Sequence, residues 1–285
     1  MDSNYYIKDD CIYFSHEFNE SIDNYINISK KCTQIIFSNY IDYDKCIETK
    51  NQYCSKYYDN YRDNKFNQPS LKFLNNQTQL KKLILGDCFN RPLENSLVYQ
   101  TQLEQLTFGY WFNQPLENSL NQLLQLSQLT FGWNFNQPLT NSIDQLTQLK
   151  QLTFGTYFNQ PLGESLVHQT QLVELTLGHY FNQELNIPPN IKKLRLNCNN
   201  INLIENLPNN IEELELGFYF NQPLTNLPNS IKIISFDLNS KYCEELNNLP
   251  NFLEKIYLPI KYNKEIKNIN SNCIVHYEYD SDTKL

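Results

Sequence analysis

Along the middle of the chain, apolar residues fall in a fixed order that recurs every 23 residues. Leu103, Leu106 and Phe108 are followed by Leu126, Leu129 and Phe131, then Leu149, Leu152 and Phe154, then Leu172, Leu175 and Leu177. The last two of each set are two apart, the period of a strand, so both side chains point to one face. Each copy predicts a short strand of roughly three to five residues. The arm that returns to the next strand carries apolar residues three apart, as in Leu120, Leu123 and Leu126 or Ile143, Leu146 and Leu149. That spacing predicts a turn of helix or 3₁₀ helix with one inward face. From residue 186 the copies shorten to about 20 residues, and the arms read Ile-Pro-Pro-Asn (187–190), Leu-Pro-Asn-Asn (207–210), Leu-Pro-Asn-Ser (227–230) and Leu-Pro-Asn-Phe (249–252). Proline disfavours helix, so extended or polyproline-like arms are expected there.

The polar punctuation repeats with the same period. Phe-Asn recurs at residues 66, 89, 112, 135, 158 and 181, and six of the seven glycines (Gly86, Gly109, Gly132, Gly155, Gly178 and Gly217) stand just after a predicted strand. Glycine there implies that the backbone turns or approaches a neighbour closely. Proline at 69, 92, 115, 138, 161 and 223 marks the return half of the coil, because it cannot donate within a central strand. A stack of equivalent coils follows, in which the phenylalanines form a buried ladder and each asparagine hydrogen-bonds its turn through both ends of its amide. A lone coil buries too little to hold itself, so each depends on its neighbours and the ends need caps.

The last apolar residues of successive strands, Leu85, Phe108, Phe131, Phe154, Leu177, Leu196, Leu216, Phe236 and Leu258, count the coils. Upstream, Phe14 with Phe18-Asn19 mimics one copy and Phe37 lies 23 residues beyond Phe14. A further coil is expected near Arg62, degenerate or looped out, because residues 51–65 are polar and tyrosine-rich. The chain divides into an N-terminal cap with degenerate repeats (1–65), a repeat solenoid (66–260) and a C-terminal cap or tail (261–285). The fold class expected is a leucine-rich-repeat-like solenoid. A parallel β-sheet forms one face, and short helical, 3₁₀ or extended return arms form the other.

Phe-Asn-Gln-Pro-Leu at 112–116, 135–139, 158–162 and 220–224, behind Leu-x-x-Leu-Thr-Phe-Gly, resembles the FNIP repeat family over most of residues 66–236. Asn90-Arg91-Pro92 and Asn182-Gln183-Glu184 depart from the motif. The resemblance implies a leucine-rich-repeat solenoid that binds proteins, of a kind abundant in social amoebae and in giant viruses of amoebae. Some members carry an N-terminal F-box and select substrates for a ubiquitin ligase. Here residues 11–19 and 32–37 read as repeat strands instead.

Composition narrows the function. A formal charge of −8 disfavours phosphate-backbone binding, which depends on clustered Lys and Arg, so no nucleic acid partner is expected. No apolar run has the length of a membrane span and the first residues lack signal-peptide character, so no membrane association and a cytoplasmic location are expected. The eight cysteines are scattered without a Cys-x-x-Cys pair; Cys46, Cys54 and His16 could meet, but free thiols are the plainer reading, and neither metal nor cofactor is expected. His16, His168, His179 and His276 have no nucleophile in a catalytic setting, and the glycines are spread one per coil rather than forming a phosphate loop, so no enzyme is expected.

Binding has more support. Residues alternating with the core leucines must face out of the sheet: Gln105 and Thr107, Gln128 and Thr130, Gln151 and Thr153, then Glu174, Lys193, Arg195, Glu213 and Glu215. After each glycine come two variable residues that are often aromatic, among them Tyr110, Trp111, Trp133, Tyr157, Tyr180 and Tyr219. These rings, with Lys193, Arg195, Glu213 and Glu215, are the candidate protein-binding residues, because Trp and Tyr dominate interface hot spots. Packing of the rings on one another to cover the coil edge is the competing role. A non-catalytic protein-interaction scaffold is the expected function. A ubiquitin-ligase substrate adaptor and a structural or packaging protein are the alternatives.

Overall fold

The strand period is realised residue by residue. The computed structural model describes residues 4–15, 17–20, 25, 32–37 and 65–277. Its strands are β1 (Tyr5–Lys8), β2 (Cys11–Phe14), β3 (Gln34–Phe37), β4 (Lys82–Ile84), β5 (Gln105–Thr107), β6 (Gln128–Thr130), β7 (Gln151–Thr153) and β8 (Glu174–Leu177). β9 (Lys193–Leu196), β10 (Glu213–Leu216), β11 (Ile233–Phe236), β12 (Leu246–Asn247), β13 (Lys255–Tyr257), β14 (Ile266–Lys267) and β15 (Ile274–His276) follow. All except β12 and β14 join one 13-stranded sheet in chain order. β1 closes its N-terminal edge as the antiparallel arm of a hairpin with β2, and the other strands run parallel. Equivalent residues pair without slippage, Leu106 with Leu129 and Leu129 with Leu152, so the inward side chains form continuous columns. β12 and β14 form a second, two-stranded parallel sheet in the last return arms, and β15 pairs with β13, so the coils continue beyond residue 260.

The expected coil near Arg62 lies outside the described residues. β3 pairs directly with β4, Gln34 opposite Lys82, and Phe66 stacks on Phe37 at 4.0 Å between ring centroids. Phe66-Asn67 is thus the turn that belongs to β3. Twenty-eight residues separate Phe37 from Phe66 in the sequence, where three separate Leu85 from Phe89.

Return arms of the 23-residue coils are chains of tight turns. Ser96 N–H donates to Leu93 C=O, Gln100 to Leu97 and Leu103 to Gln100, and the pattern recurs one coil later at Ser119, Leu123 and Leu126. True 3₁₀ turns occur at Lys72–Asn76 and Glu164–Leu166. The proline arms are not extended throughout: Ile191, Ile211, Ile231 and Leu253 each donate back to the proline three residues earlier. The arm ahead of Pro208 also forms one short α-helix, α1 (Ile201–Glu205), which the proline-based expectation missed. Its N-cap, Asn200, accepts the Asn202 N–H at 3.1 Å, and helix forms because Pro208 lies beyond its end.

The glycine column is explained by close approach. None of the described glycines has positive φ. A Cβ on Gly132 would lie 1.9 Å from the Gly109 carbonyl oxygen, and on Gly155 2.0 Å from that of Gly132. The asparagines form a ladder between coils rather than a brace within one turn. Asn67 Oδ1 accepts the Asn90 N–H at 3.1 Å, and the same bond recurs from Asn113 to Asn90, Asn136 to Asn113, Asn159 to Asn136 and Asn182 to Asn159. The Gln114 side-chain amide adds a second bond to Asn90 Oδ1 at 2.9 Å, and Gln137 does likewise to Asn113. Beneath this ladder the phenylalanines stack as expected, Phe112 on Phe135 and Phe135 on Phe158, with interplanar angles of 7° and 1°.

Those ring distances also measure curvature. Translationally equivalent rings are 6.0 to 6.2 Å apart along Phe112, Phe135, Phe158 and Phe181. At the strand ends, Phe108, Phe131 and Phe154 are 5.4 and 5.5 Å apart. Strands themselves lie about 4.8 Å apart. The coils therefore fan open from sheet to turn, which places the sheet on the concave side of this stretch.

A lane of residues just before the strands carries alternating charge. Glu212 lies 2.9 Å from Lys192 in the preceding coil and 2.8 Å from Lys232 in the next. Hydrogen bonds from Lys232 and Lys192 hold the Glu212 carboxyl down at about 2. The sign follows: the unfolded carboxyl, near 4.5, binds a proton first, so this bridge stabilises the fold above about pH 4.5 and loses its effect as the pH falls toward 2.

Two predictions arise. Gly132→Ala should lower the unfolding free energy by about 2 kcal/mol or more in urea titration, because coil and carbonyl cannot share the space. Gly163→Ala should be neutral or raise stability by up to about 1 kcal/mol, since nothing lies within 4 Å of its added Cβ. Equal losses in the two would contradict the close-approach account. Separately, Glu212→Gln should flatten the fall in thermal midpoint between about pH 4.5 and 2 without altering it near pH 7 by more than a surface pair normally does.

Candidate interaction surface

Three surfaces are built from the variable positions of the coil. The first is the outward face of the sheet. In the middle coils it presents Gln105, Gln128 and Gln151 beside Thr107, Thr130 and Thr153, all half-buried by their neighbours in the adjoining strands. Toward the N-terminus the same face turns apolar: Cys11, Ile36 and Ile84 are buried together with Tyr13 against them, and Tyr6 stacks on Tyr13 at 4.6 Å. Sequence reasoning missed this patch. Its signal was the alternation in Cys-Ile-Tyr-Phe (11–14), whose outward members are as apolar as the inward ones.

The second surface is the charged stretch on β9 and β10. The structure brings Lys193, Arg195, Glu213 and Glu215 into one cluster, with Lys193 3.3 Å from Glu213 and 3.2 Å from Glu215, and Arg195 3.6 Å from Glu215. Burial works against the Lys193 charge, but Glu215 and Glu213 outweigh it and hold its pKa above the usual range. Burial pushes the neighbouring Asp237 carboxyl up, against the pull of the Asn239 amide and Arg195. These side chains answer one another's charge, so they contribute a self-contained polar patch.

The third surface runs along the corner after the glycines. Tyr110 stacks on Trp133 at 5.6 Å, Trp133 meets Tyr157 edge-on at 6.4 Å, and Tyr157 stacks on Tyr180 at 5.1 Å. Trp111 packs edge-on against Tyr110 at 4.9 Å. His179 then bridges to Tyr219, its ring 4.6 Å from Tyr180 and 4.0 Å from Tyr219. The six candidate aromatics therefore form one strip across successive coils, and His179 is a member that the sequence did not reveal. It lies there because the coil after Leu196 passes straight through Asn197 and Cys198, without the two extra residues of its neighbours, and Tyr219 reaches across the gap. Backbone bonds hold the strip: Trp111 N–H to Asp87 C=O, Asn134 to Tyr110, Tyr157 to Trp133 and Tyr180 to Thr156. Although they stack, the rings are not hidden. Trp111 is 48% exposed, Tyr157 45%, Tyr180 50% and Tyr219 57%.

Among the described residues no group of three or more His, Cys, Asp or Glu gathers as metal ligands. Cys46, Cys54 and His16 lie outside the described residues. Burial pushes the Cys11 and Cys198 thiols up to about 11, so both stay protonated and pack as small apolar groups. Cys198 stands in the ring column between Phe181 and Phe220, which Tyr242 and Tyr262 continue. No described helix is long and apolar enough to cross a membrane.

The FNIP repeat family matches residues 181–219 and 199–239. No curated protein matches by sequence. Among solved structures, CroV588, described as a novel circular leucine-rich-repeat protein, is 25% identical with a TM-score of 0.54. That likeness covers 96% of this chain but 48% of CroV588, so the chain spans about half the length of that relative. An internalin (inlF) from Listeria monocytogenes is 15% identical over 91% of this chain and 77% of its own, with a TM-score of 0.51, and shows the fold alone. With repeats, sheet and neighbours in agreement, the chain carries FNIP repeats within residues 181–239 and is folded as a leucine-rich-repeat-like solenoid.

Proposed function

We propose that the protein is a non-catalytic scaffold that binds a protein partner through the aromatic strip. The single observation that carries this reading is the exposure of Trp111, Tyr157, Tyr180 and Tyr219 on one continuous corner, when the repeat could as well have placed small polar residues there. Coils tolerate other residues at these positions: Cys88 and Asn134 stand two residues after their glycines, and Asn134 keeps the turn bond to the Tyr110 carbonyl. Stacking alone therefore does not require rings of this size. Trp and Tyr on a rigid corner also lose little conformational freedom when a partner covers them, which suits them as anchors. The leucine-rich-repeat fold, common among interaction modules, supports the same reading. A reducing, intracellular setting belongs to the proposal, supported by the free thiols of Cys11, Cys198, Cys243 and Cys273.

The test is capture of binding partners from native cells by the full chain, compared between wild type, Trp111→Ala, the double variant Tyr157→Ala with Tyr180→Ala, and the control Glu117→Ala. The aromatic variants should lose the stoichiometric partner while keeping the wild-type unfolding midpoint within a few degrees, and the control should retain it. Unchanged capture by both aromatic variants would reduce the strip to a packing device.

A further inference from the structure

We propose that this chain joins end to end with further copies of itself, the last strand of the sheet in one copy pairing with the first strand of the sheet in the next. The 13-stranded sheet begins at β1 and ends at β15, and neither has a second strand beside it among the described residues. Free edges of this kind are templates for another strand, and proteins that stay apart blunt them with proline, bulges or inward-pointing charge. Tyr5–Lys8 and Ile274–His276 hold no proline, and the one lysine, Lys8, lies on the outer face opposite Cys11. The buried columns are open at these ends as well. Ile7 stands opposite the fully buried Ile12 yet is 48% exposed, and Val275 is only partly covered.

Hydrogen-bond phase decides how the two edges can meet. In the β1–β2 hairpin Ser15 N–H donates to Asn4 C=O, so by alternation Tyr6 and Lys8 bond to β2, while Tyr5 and Ile7 aim their N–H and C=O groups at the open edge. In β15, Ile274 N–H donates to Glu254 C=O and His276 C=O accepts from Leu258 N–H, so these two bond back to β13 and Val275 faces the open edge. An antiparallel pair with Ile7 opposite Val275 satisfies both edges and keeps both core faces on the same side of the sheet. A shift of either phase by one residue would have turned the two cores to opposite sides.

The same register matches side chains. Ile7 and Val275 continue one apolar column, and Tyr5, packed on the core at one end, meets Tyr277, which is 55% exposed at the other. On the outer face each end already finishes in a stack, Tyr6 on Tyr13 at 4.6 Å and His276 on Tyr257 at 4.6 Å. Tyr6 then falls opposite His276, and the two stacks become one run of four rings, a favourable cross-strand arrangement. Because β1 is antiparallel to β2, pairing it antiparallel to β15 leaves the coil strands of both copies parallel. The second copy therefore stacks as the next coils of the same solenoid. Pairing like edge with like would instead run the strands of one copy against those of the other and set turn corners beside return arms. Each edge thus finds its match in the opposite end of the same chain, which is why the occupant is a second copy.

The experiment is sedimentation velocity of the full chain over a range of concentrations. Wild type should form species of two or more chain masses, closed or open, since a head-to-tail contact leaves one unused edge at each end. Ile7→Pro and Val275→Pro each remove an open-edge donor without touching the bonds to β2 or β13. Each alone should keep the wild-type unfolding midpoint within a few degrees and associate at least about tenfold more weakly. Mixed in equal amounts, the two should give a dimer and nothing larger, because the intact β15 of one meets the intact β1 of the other. Ile7→Lys and Val275→Lys, which blunt the same edges with charge, should repeat that behaviour and stand in for a proline variant that fails to fold. A monomeric wild type, association that survives in both variants of a set, or a dimer of either variant without its counterpart overturns the proposal.

Discussion

Contact between one coil and the next is the constraint from which the rest of this structure follows. At the glycine column the backbone of each coil rests so closely on the carbonyl below that even a methyl group has no room. That proximity fixes the register of the sheet, brings each asparagine within reach of the next coil's N–H, and sets the phenylalanine rings face to face. No coil could supply these contacts internally. The repeat is therefore a pattern of complementarity between copies, and its regularity is a consequence of every coil having to fit the same neighbour.

Curvature comes from the difference between the two sides of that contact. Strand hydrogen bonds hold one side near the spacing of a β-sheet, whereas stacked, offset Phe rings hold the other about 6 Å apart. The corner with the aromatic strip lies between these limits, at 5.1 to 5.6 Å per coil. Spacing along the strip is thus an outcome of the core, and any partner read by the strip is read through a distance that the buried phenylalanines set.

Much of this was written in the residues. The strands, the phenylalanine column and the glycine positions follow from period and residue type, because each depends on a local rule repeated many times. The Phe-Asn asparagine reads as a brace within its own turn, although its acceptor serves the next coil; a single copy of the motif holds no information about that partner. The short helix at Ile201–Glu205 is not legible in the prolines, which argue for extended arms, whereas in this arm proline lies only beyond the helix end. The apolar outer patch at Cys11, Ile36 and Ile84 is harder to see, because outward positions in the first coils follow no repeated residue type.

Sequence alone determined the architecture, since buried columns demand the same residue at the same phase in each copy and that demand is visible as a period. It also nominated the ten surface residues, because variation within a repeat stands out. Only the tertiary structure decided how they differ in kind: Lys193, Arg195, Glu213 and Glu215 neutralise one another across adjacent strands, while the aromatics stack and Trp111, Tyr157, Tyr180 and Tyr219 stay about half open to solvent. The reason is physical. Pairing and exposure depend on which side chains meet between coils and how far apart the curvature holds them, and neither quantity is a property of any one repeat.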